Sequence, residues 1–279
     1  MSIKLFDQTS KDMSRKLALN YSTSFSLGIR LLSKEYRWAV FAIYGLVRVA
    51  DEIVDTFHGF NKSQMLSDFK SQAYQSIEEG ISTNPVLHAF QLAANQFGIG
   101  KDLIDPFFKS MEDDLQLQVH SDKSYNDYIF GSAEVVGLMC LKVFCAGDES
   151  RYNLLCPMAK SLGSAFQKVN FLRDIQSDMS ERGRVYFPGV NFETFSDSDK
   201  RRIVLDVKND FNKALPGIKK LPIGCRLGVY TAYQYYTELL QKIERKSAVE
   251  VVKSRVRIRN SRKFTLLVKS FFCEKLMPA

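Results

Sequence analysis

Apolar residues return every three to four positions along almost the whole of this chain, and little interrupts them. Seven Pro and 15 Gly in 279 residues leave room for long helices. Pro removes an intrahelical hydrogen bond and Gly weakens a helix interior, so both would otherwise break the pattern. The period of 3.6 calls for helices rather than strands. Helices are read at 61–79, 85–97, 101–119, 125–145 and 151–179, with breaks at Gly80, Asn84-Pro85 and Gly98-Ile99-Gly100. Another, at 34–57, is so rich in apolar positions (Trp38, Phe41, Leu46, Val49, Ile53) that it is expected to be buried on most sides. A Gly- and Pro-bearing loop follows at 181–189. Ser196 or Asp197 then caps a helix to about Leu215, and further helices span 222–246 and 262–272. The segment 250–258 alternates enough to suggest one short strand. The expected fold class is all-α, a single domain over 1–279 built as a helical bundle.

Hydrophobic residues at 45% and charged residues at 25% exclude a disordered chain. No run of about 18 apolar residues is read, so no membrane-spanning helix is expected. The N-terminus MSIKLFDQTSKDMSRK lacks the apolar core of a signal peptide, which points to the cytoplasm. Five Cys (140, 145, 156, 225, 273) form no C-x-x-C pair and read as reduced thiols. The three His (58, 88, 120) are far apart and argue against a zinc site. The net charge of +8 is concentrated in 242–275, where eleven Lys and Arg face three Glu. Such a segment suits an anionic substrate, an anionic membrane surface or nucleic acid, and equally a solvated helical face. With no named motif and no aromatic stacking array, nucleic acid is not an expected partner. Peripheral contact with membrane lipid at the inner face is the partner reading this segment favours.

Two polar stripes interrupt the apolar helices. In the first, Tyr44, Arg48, Asp51 and Asp55 stand at i, i+4, i+7 and i+11 and share one helical face. In the second, Gln167, Asn170, Asp174 and Asp178 stack in the same way, with Arg173 beside them and Phe166, Val169, Leu172 and Ile175 between. Carboxylates buried without partners cost several kcal/mol, so each stripe must meet something polar. One reading is an internal salt-bridge network from Arg48 to Asp51 or Glu52. The other is a metal site on a cavity, because carboxylates one turn apart suit Mg²⁺, which takes oxygen ligands and keeps several waters. Two ladders facing each other would hold a diphosphate through shared ions, with Arg48 and Arg173 on its oxygens. The 21 Phe would then help to line an apolar pocket that shields a carbocation.

Five blocks give these ladders a specific context. They are Ser22-Thr-Ser-Phe25; Ala42 to Asp55; Val135-Val-Gly-Leu-Met139; Leu162-Gly-x-x-x-Gln-x-x-Asn-x-x-Arg-Asp-x-x-x-Asp178; and Arg182-Gly-Arg-Val-Tyr-Phe-Pro188. Over Tyr21 to Pro188 the chain resembles the squalene/phytoene synthase family of head-to-head prenyl transferases. The resemblance implies an all-α isoprenoid-synthase-type bundle around a central cavity. It implies Asp51, Asp55, Asn170, Asp174 and Asp178 as ligands of two to three Mg²⁺, with Mn²⁺ as a substitute. It gives catalytic roles to the four aspartates, Arg48, Arg173, Tyr44 and Tyr128. Substrate contacts fall on Ser22, Ser24, Phe25, Gln167, Asn170, Tyr186 and Tyr236, with Arg255 and Lys263 as further matches. Three departures stand out: Thr23 replaces a common Lys, Glu134 replaces a Gly, and Lys168-Val169 replaces Leu-Thr.

The implied reaction joins two prenyl diphosphates through a cyclopropylcarbinyl diphosphate and releases diphosphate. No G-x-G-x-x-G run and no C-terminal apolar anchor are read. NADPH is therefore not expected, and phytoene from two geranylgeranyl diphosphates is the favoured product. Squalene or dehydrosqualene from two farnesyl diphosphates is the alternative. A chain-elongating transferase or terpene cyclase, or a non-catalytic scaffold relative, are rival readings of the same ladders.

Overall fold

The computed structural model describes residues 2–116, 121–182, 184, 186–190 and 194–275, and within them every side chain except those of residues 24, 180–182, 260, 264 and 273–275. Among the described residues there are helices and no strand, as the periodicity requires. The helices are α1 (Ile3–Tyr21), α2 (Thr23–Arg30), α3 (Lys34–Asp55), α4 (Lys62–Glu79), α5 (Pro85–Phe97), α6 (Lys101–Gln116) and α7 (Asp122–Ile129). A π-turn (Phe130–Glu134) leads into α8 (Val135–Cys145), followed by α9 (Glu149–Arg182), α10 (Asp197–Lys220), α11 (Ile223–Glu244), α12 (Ala248–Lys253) and α13 (Asn260–Lys275).

Local chemistry sets many of the ends. Asn84 Oδ1 accepts from the backbone N–H groups of Val86 and Leu87 at 3.0 and 3.4 Å, Pro85 opens α5, and Gly98 closes it at φ 67°. Ser196, not Asp197, caps α10 in a reciprocal box with Asp199. That helix runs on through Pro216 to Lys220, one turn beyond the expected Leu215.

Several expectations are corrected. Residues 250–258 are not a strand. Ser247 and Glu250 form a capping box that starts α12, and 254–259 follow without regular structure. Two satisfied orphan donors outweigh the β-branched alternation. The N-terminus, given no element from sequence, is the helical pair α1 and α2. The predicted helix 101–119 is described to Gln116, and 117–119 lie outside the described residues. The expectation of no membrane-length apolar helix is also revised. Asp122–Cys145 is long and apolar enough to cross a membrane, yet more than half of that stretch is buried inside the protein.

That stretch is not one uniform α-helix. Its π-turn packs against α6 so tightly that a Cβ on Gly131 would lie 2.3 Å from the Pro106 carbonyl oxygen. The wider turn also re-phases the helix. Tyr128, Ser132, Val136, Cys140 and Phe144, each four residues apart, all line one cavity. A plain α-helix would carry the last of them well around its axis from the first.

Two apolar clusters flank that cavity. One gathers Phe41, Leu46, Phe90, Phe107, Phe108 and Met139 from α3, α5, α6 and α8. The other gathers Val169, Leu172, Val207, Leu239 and Tyr186 from α9, α10, α11 and the loop after α9.

Candidate active site

The cavity measures about 1070 Å³, and both acidic ladders open onto it. From α3 come Tyr44, Arg48, Asp51 and Asp55. From α9 come Gln167, Asn170, Arg173, Asp174 and Asp178. Ser22 at the N-cap of α2, Phe25 within it, Tyr128 of α7, Tyr186 of the loop and Tyr236 of α11 complete the set. The structure thus brings together every named site residue whose side chain it describes. Ser24 lies within α2, but its side chain is outside the described residues.

Each ladder meets guanidinium groups. Arg48 Nη1 holds Asp51 Oδ2 at 2.6 Å, pairs with Glu52 through Nη2, and lies 4.3 Å from the centre of the Tyr21 ring. The salt-bridge reading of the first stripe is therefore part of the site rather than its rival. On α9, Arg173 grips its neighbour Asp174 with two bonds, at 3.0 and 2.5 Å, and Arg255 Nε adds a third at 2.8 Å. Burial opposes the Arg173 charge, but Asp174 outweighs it and the guanidinium pKa is raised. Tyr236 Oη donates to Asn170 Oδ1 at 3.2 Å and stacks on Phe166 at 4.1 Å.

The far ends of the ladders are joined. Arg184 Nη1 holds Asp55 Oδ1 at 3.0 Å, while its backbone N–H donates to the Asp178 carbonyl at 2.9 Å. The same guanidinium donates to the backbone oxygen of Asp114 at 3.0 Å and to Tyr186 Oη at 3.4 Å. Asp114 in turn accepts from Tyr128 Oη at 2.8 Å. Burial pushes the Asp114 carboxyl up to about 7, while Arg184 and the Tyr128 hydrogen bond pull it down. Tyr128 and Tyr186 stay protonated because burial, and then Asp114, raises both phenols.

With this geometry in place, the comparisons are decisive. The squalene/phytoene synthase family model matches residues 18–262. The chain belongs to that family. A 4,4'-diapophytoene synthase of Staphylococcus haemolyticus is 27% identical over 195 residues, covering 68% of this chain and 66% of that protein. The chloroplastic phytoene synthase 1 of Solanum lycopersicum is 26% identical over 84% of this chain, which spans only 61% of its length. A presqualene diphosphate synthase of Sinorhizobium fredii is 29% identical over 70% of this chain and 67% of that protein. Among solved structures, a dehydrosqualene synthase in complex with ligand superposes with a TM-score of 0.83 at 21% identity, covering 97% of this chain and 98% of that one. At that identity the likeness speaks for the fold.

The family departures now have places. Lys263 of α13 donates from Nζ to Thr23 Oγ1 at 2.8 Å and lines the cavity, so an ammonium stands beside Thr23 at the start of α2. Lys168 turns away from the cavity toward α10, bonding Asp206 at 2.5 Å and Asp210 at 2.8 Å. Glu134 is half-buried near Lys160, Asp210 and Lys168, and its carboxyl is raised mainly by burial.

Sequence reasoning missed Asp114 and did not single out Arg184, although the family loop motif contains it. A signal for Asp114 existed. It follows Leu103, Phe107 and Met111 on the inward stripe of α6, where an acid has no reason to be unless it meets a partner. Oxygen donors on both ladders suit a hard cation. Among the described residues no three His, Cys, Asp or Glu converge into a closed cage. An ion here would take one or two carboxylates and complete its shell from water and phosphate, which is how Mg²⁺ binds.

Proposed function

We propose that this chain is a magnesium-dependent head-to-head prenyl transferase that joins two geranylgeranyl diphosphates into phytoene. The carrying observation is that two acidic ladders open onto one cavity, have their ends pinned together by Arg184, and sit above an apolar tunnel. Asp51 and Asp55 on α3, with Asn170, Asp174 and Asp178 on α9, would hold the ions. Bound there, magnesium supplies Lewis-acid stabilisation of the departing diphosphate. Arg48, Arg173 and Lys263 take phosphate oxygens, and Ser22 and Phe25 cover them from α2. Gln167, Tyr44 and Tyr236 orient the substrates, and Phe166, Phe171 and Tyr236 present ring faces to the cation and exclude water.

Tunnel depth supports the C20 substrate. Cavity-lining residues continue down α9 from Asn170 through Gln167, Phe166, Leu162 and Met158 to Leu155. At 1.5 Å per residue the lining reaches about 18 Å below Asn170 at Met158 and about 22 Å at Leu155. At roughly 1.2 Å per bond of an extended chain, a geranylgeranyl tail needs about 18 Å and a farnesyl tail about 13 Å. A farnesyl chain would end near Leu162 and leave the floor unfilled.

The same reading puts the protein in the cytoplasm, touching membrane lipid where its apolar substrate and product dissolve. Val268, Phe271 and Phe272 are exposed on one side of α13 beside Lys269, and Arg255, Arg257 and Lys263 line the cavity. An exposed apolar stripe with a lysine beside it, on a helix that follows a basic segment, matches an anionic lipid surface. Low-salt co-sedimentation with phosphatidylglycerol vesicles should retain the protein and lose it in F271S/F272S. Equal recovery of both in the supernatant would refute the contact.

Purified protein with Mg²⁺ and geranylgeranyl diphosphate should yield phytoene without NADPH, read by mass. Turnover of farnesyl diphosphate alone would overturn the C40 reading and leave a dehydrosqualene or squalene synthase. Asp51→Asn and Asp174→Asn should each lower diphosphate release by on the order of 10² or more while helical circular dichroism is unchanged. Wild-type release in either variant would remove the ladders from the chemistry.

A further inference from the structure

α10 carries Pro216 and Gly217 side by side near its C-terminal end. Pro removes a hydrogen bond from a helix and Gly loosens it, so the pair weakens the element unless the packing requires it. Gly217 is buried, and α9 supplies the requirement. A Cβ on Gly217 would lie 2.5 Å from Met158 Cβ, 3.2 Å from its Cγ and 3.1 Å from its Sδ. Three successive atoms of one side chain therefore run along the bare glycine. Other close glycines serve a different end. At Gly131 and Gly163 the first atom a Cβ would meet is a backbone carbonyl oxygen, at 2.3 and 2.8 Å, so those glycines let backbones approach. The missing Cβ of Gly217 instead leaves a notch that receives a methionine side chain.

The notch opens on the tunnel. Gly217 and Met158 both line it, together with Leu155, Ala214, Ile218 and Leu221. Along α9, Met158 stands about 18 Å below Asn170, which is the depth a geranylgeranyl tail needs. A farnesyl tail ends one turn higher, near Leu162. Met158 is thus placed to meet the last isoprene unit of a C20 chain and to miss a C15 chain altogether. Methionine is unbranched and flexible, so its position depends on what it can lie against. Seated along Gly217 it is drawn to the wall. Turned out of the notch it would occupy the space that the end of the tail needs.

We propose that Gly217 is a specificity-determining residue, which seats Met158 against α10 and thereby keeps the tunnel open to the depth of a C20 substrate. The inference rests on the prenyl-transfer reading above and names the residues that set its substrate length. Neither residue touches the diphosphate end, so their effect falls on the choice of tail and not on the ionisation step.

The test offers full-length protein and Mg²⁺ an equimolar mixture of farnesyl and geranylgeranyl diphosphates, reads the condensed products by mass, and measures kcat/KM for each substrate alone. Met158→Phe places a wide, stiff ring where a thin thioether chain lay in the notch. It should lower geranylgeranyl use relative to farnesyl use by about 10-fold or more, while kcat/KM for farnesyl diphosphate stays within about threefold of wild type. Gly217→Ala should shift the ratio in the same direction by expelling Met158. Its added Cβ also crowds Met158 Cβ, and a cycle with Met158→Ala separates the two effects, because that crowding persists in the double variant while the side chain that could turn into the bore is gone. Gly217→Ala should therefore shift the ratio in the Met158 protein and leave it unchanged in the Met158→Ala protein. Met158→Phe remains the deciding variant if Gly217→Ala fails to fold, with helical circular dichroism as the check. An unchanged ratio in Met158→Phe, an equal fall in the use of both substrates, or the same shift from Gly217→Ala in both backgrounds overturns the notch. The wild type reports on the reading beneath: consumption of farnesyl diphosphate alone overturns the C40 reading and the notch with it, and consumption of neither substrate overturns prenyl transfer itself.

Discussion

Carboxylates placed in the middle of an apolar helical bundle must each find a cation or a donor, and in this molecule arginine meets that need. Asp51 is held by Arg48, Asp55 by Arg184, and Asp174 by Arg173 together with Arg255. For the two largely buried pairs, Arg184 with Asp55 and Arg173 with Asp174, removing one member leaves an uncompensated charge that costs several kcal/mol. The pairs also join elements distant in sequence. Arg184, just after α9, reaches Asp55 on α3 and Asp114 on α6, so the electrostatics that make the acids tolerable also set the distance between the helices that carry them. A bundle with the same apolar packing and no arginines would be driven to separate its acid-bearing faces or protonate them.

The rest of the architecture serves that placement. The 34-residue α9 carries a polar head, Asn170 to Asp178, and an apolar stem, Phe166 to Leu155, on one continuous stripe. Opposite it, the π-turn after α7 keeps Tyr128 and Phe144 on the same wall although sixteen positions separate them. One end of the cavity is thus charged and hydrogen-bonded while the other is lined by aliphatic and aromatic side chains. That division suits a substrate with an anionic head and a long apolar tail.

Much of this was legible because helical periodicity is local. The ladders at 44–55 and 167–178 could be drawn on a helical wheel, and α5 announced itself through Asn84, Pro85 and Gly98. What the sequence hid was non-local or depended on competition between local signals. Asp114 looked like one more acid in Glu112-Asp-Asp until the fold set Tyr128 and Arg184 against it. Lys263 stands 240 positions from Thr23, and only the packing of both α13 and α2 on α11 brings its ammonium to the start of α2. At 250–258, β-branched alternation suggested a strand, and a four-residue capping box decided otherwise. The π-turn has no sequence marker beyond Gly131 and the close approach it permits.

The most direct test is crystallographic. Crystals grown with Mn²⁺ and a non-ionising thiolodiphosphate analogue of the substrate would be measured at the manganese edge. Two to three anomalous peaks should appear between α3 and α9, bridged by a single diphosphate group that both helices touch through their ions. Peaks confined to one helix, or a diphosphate bound away from the space between Asp51 and Asp174, would contradict the account.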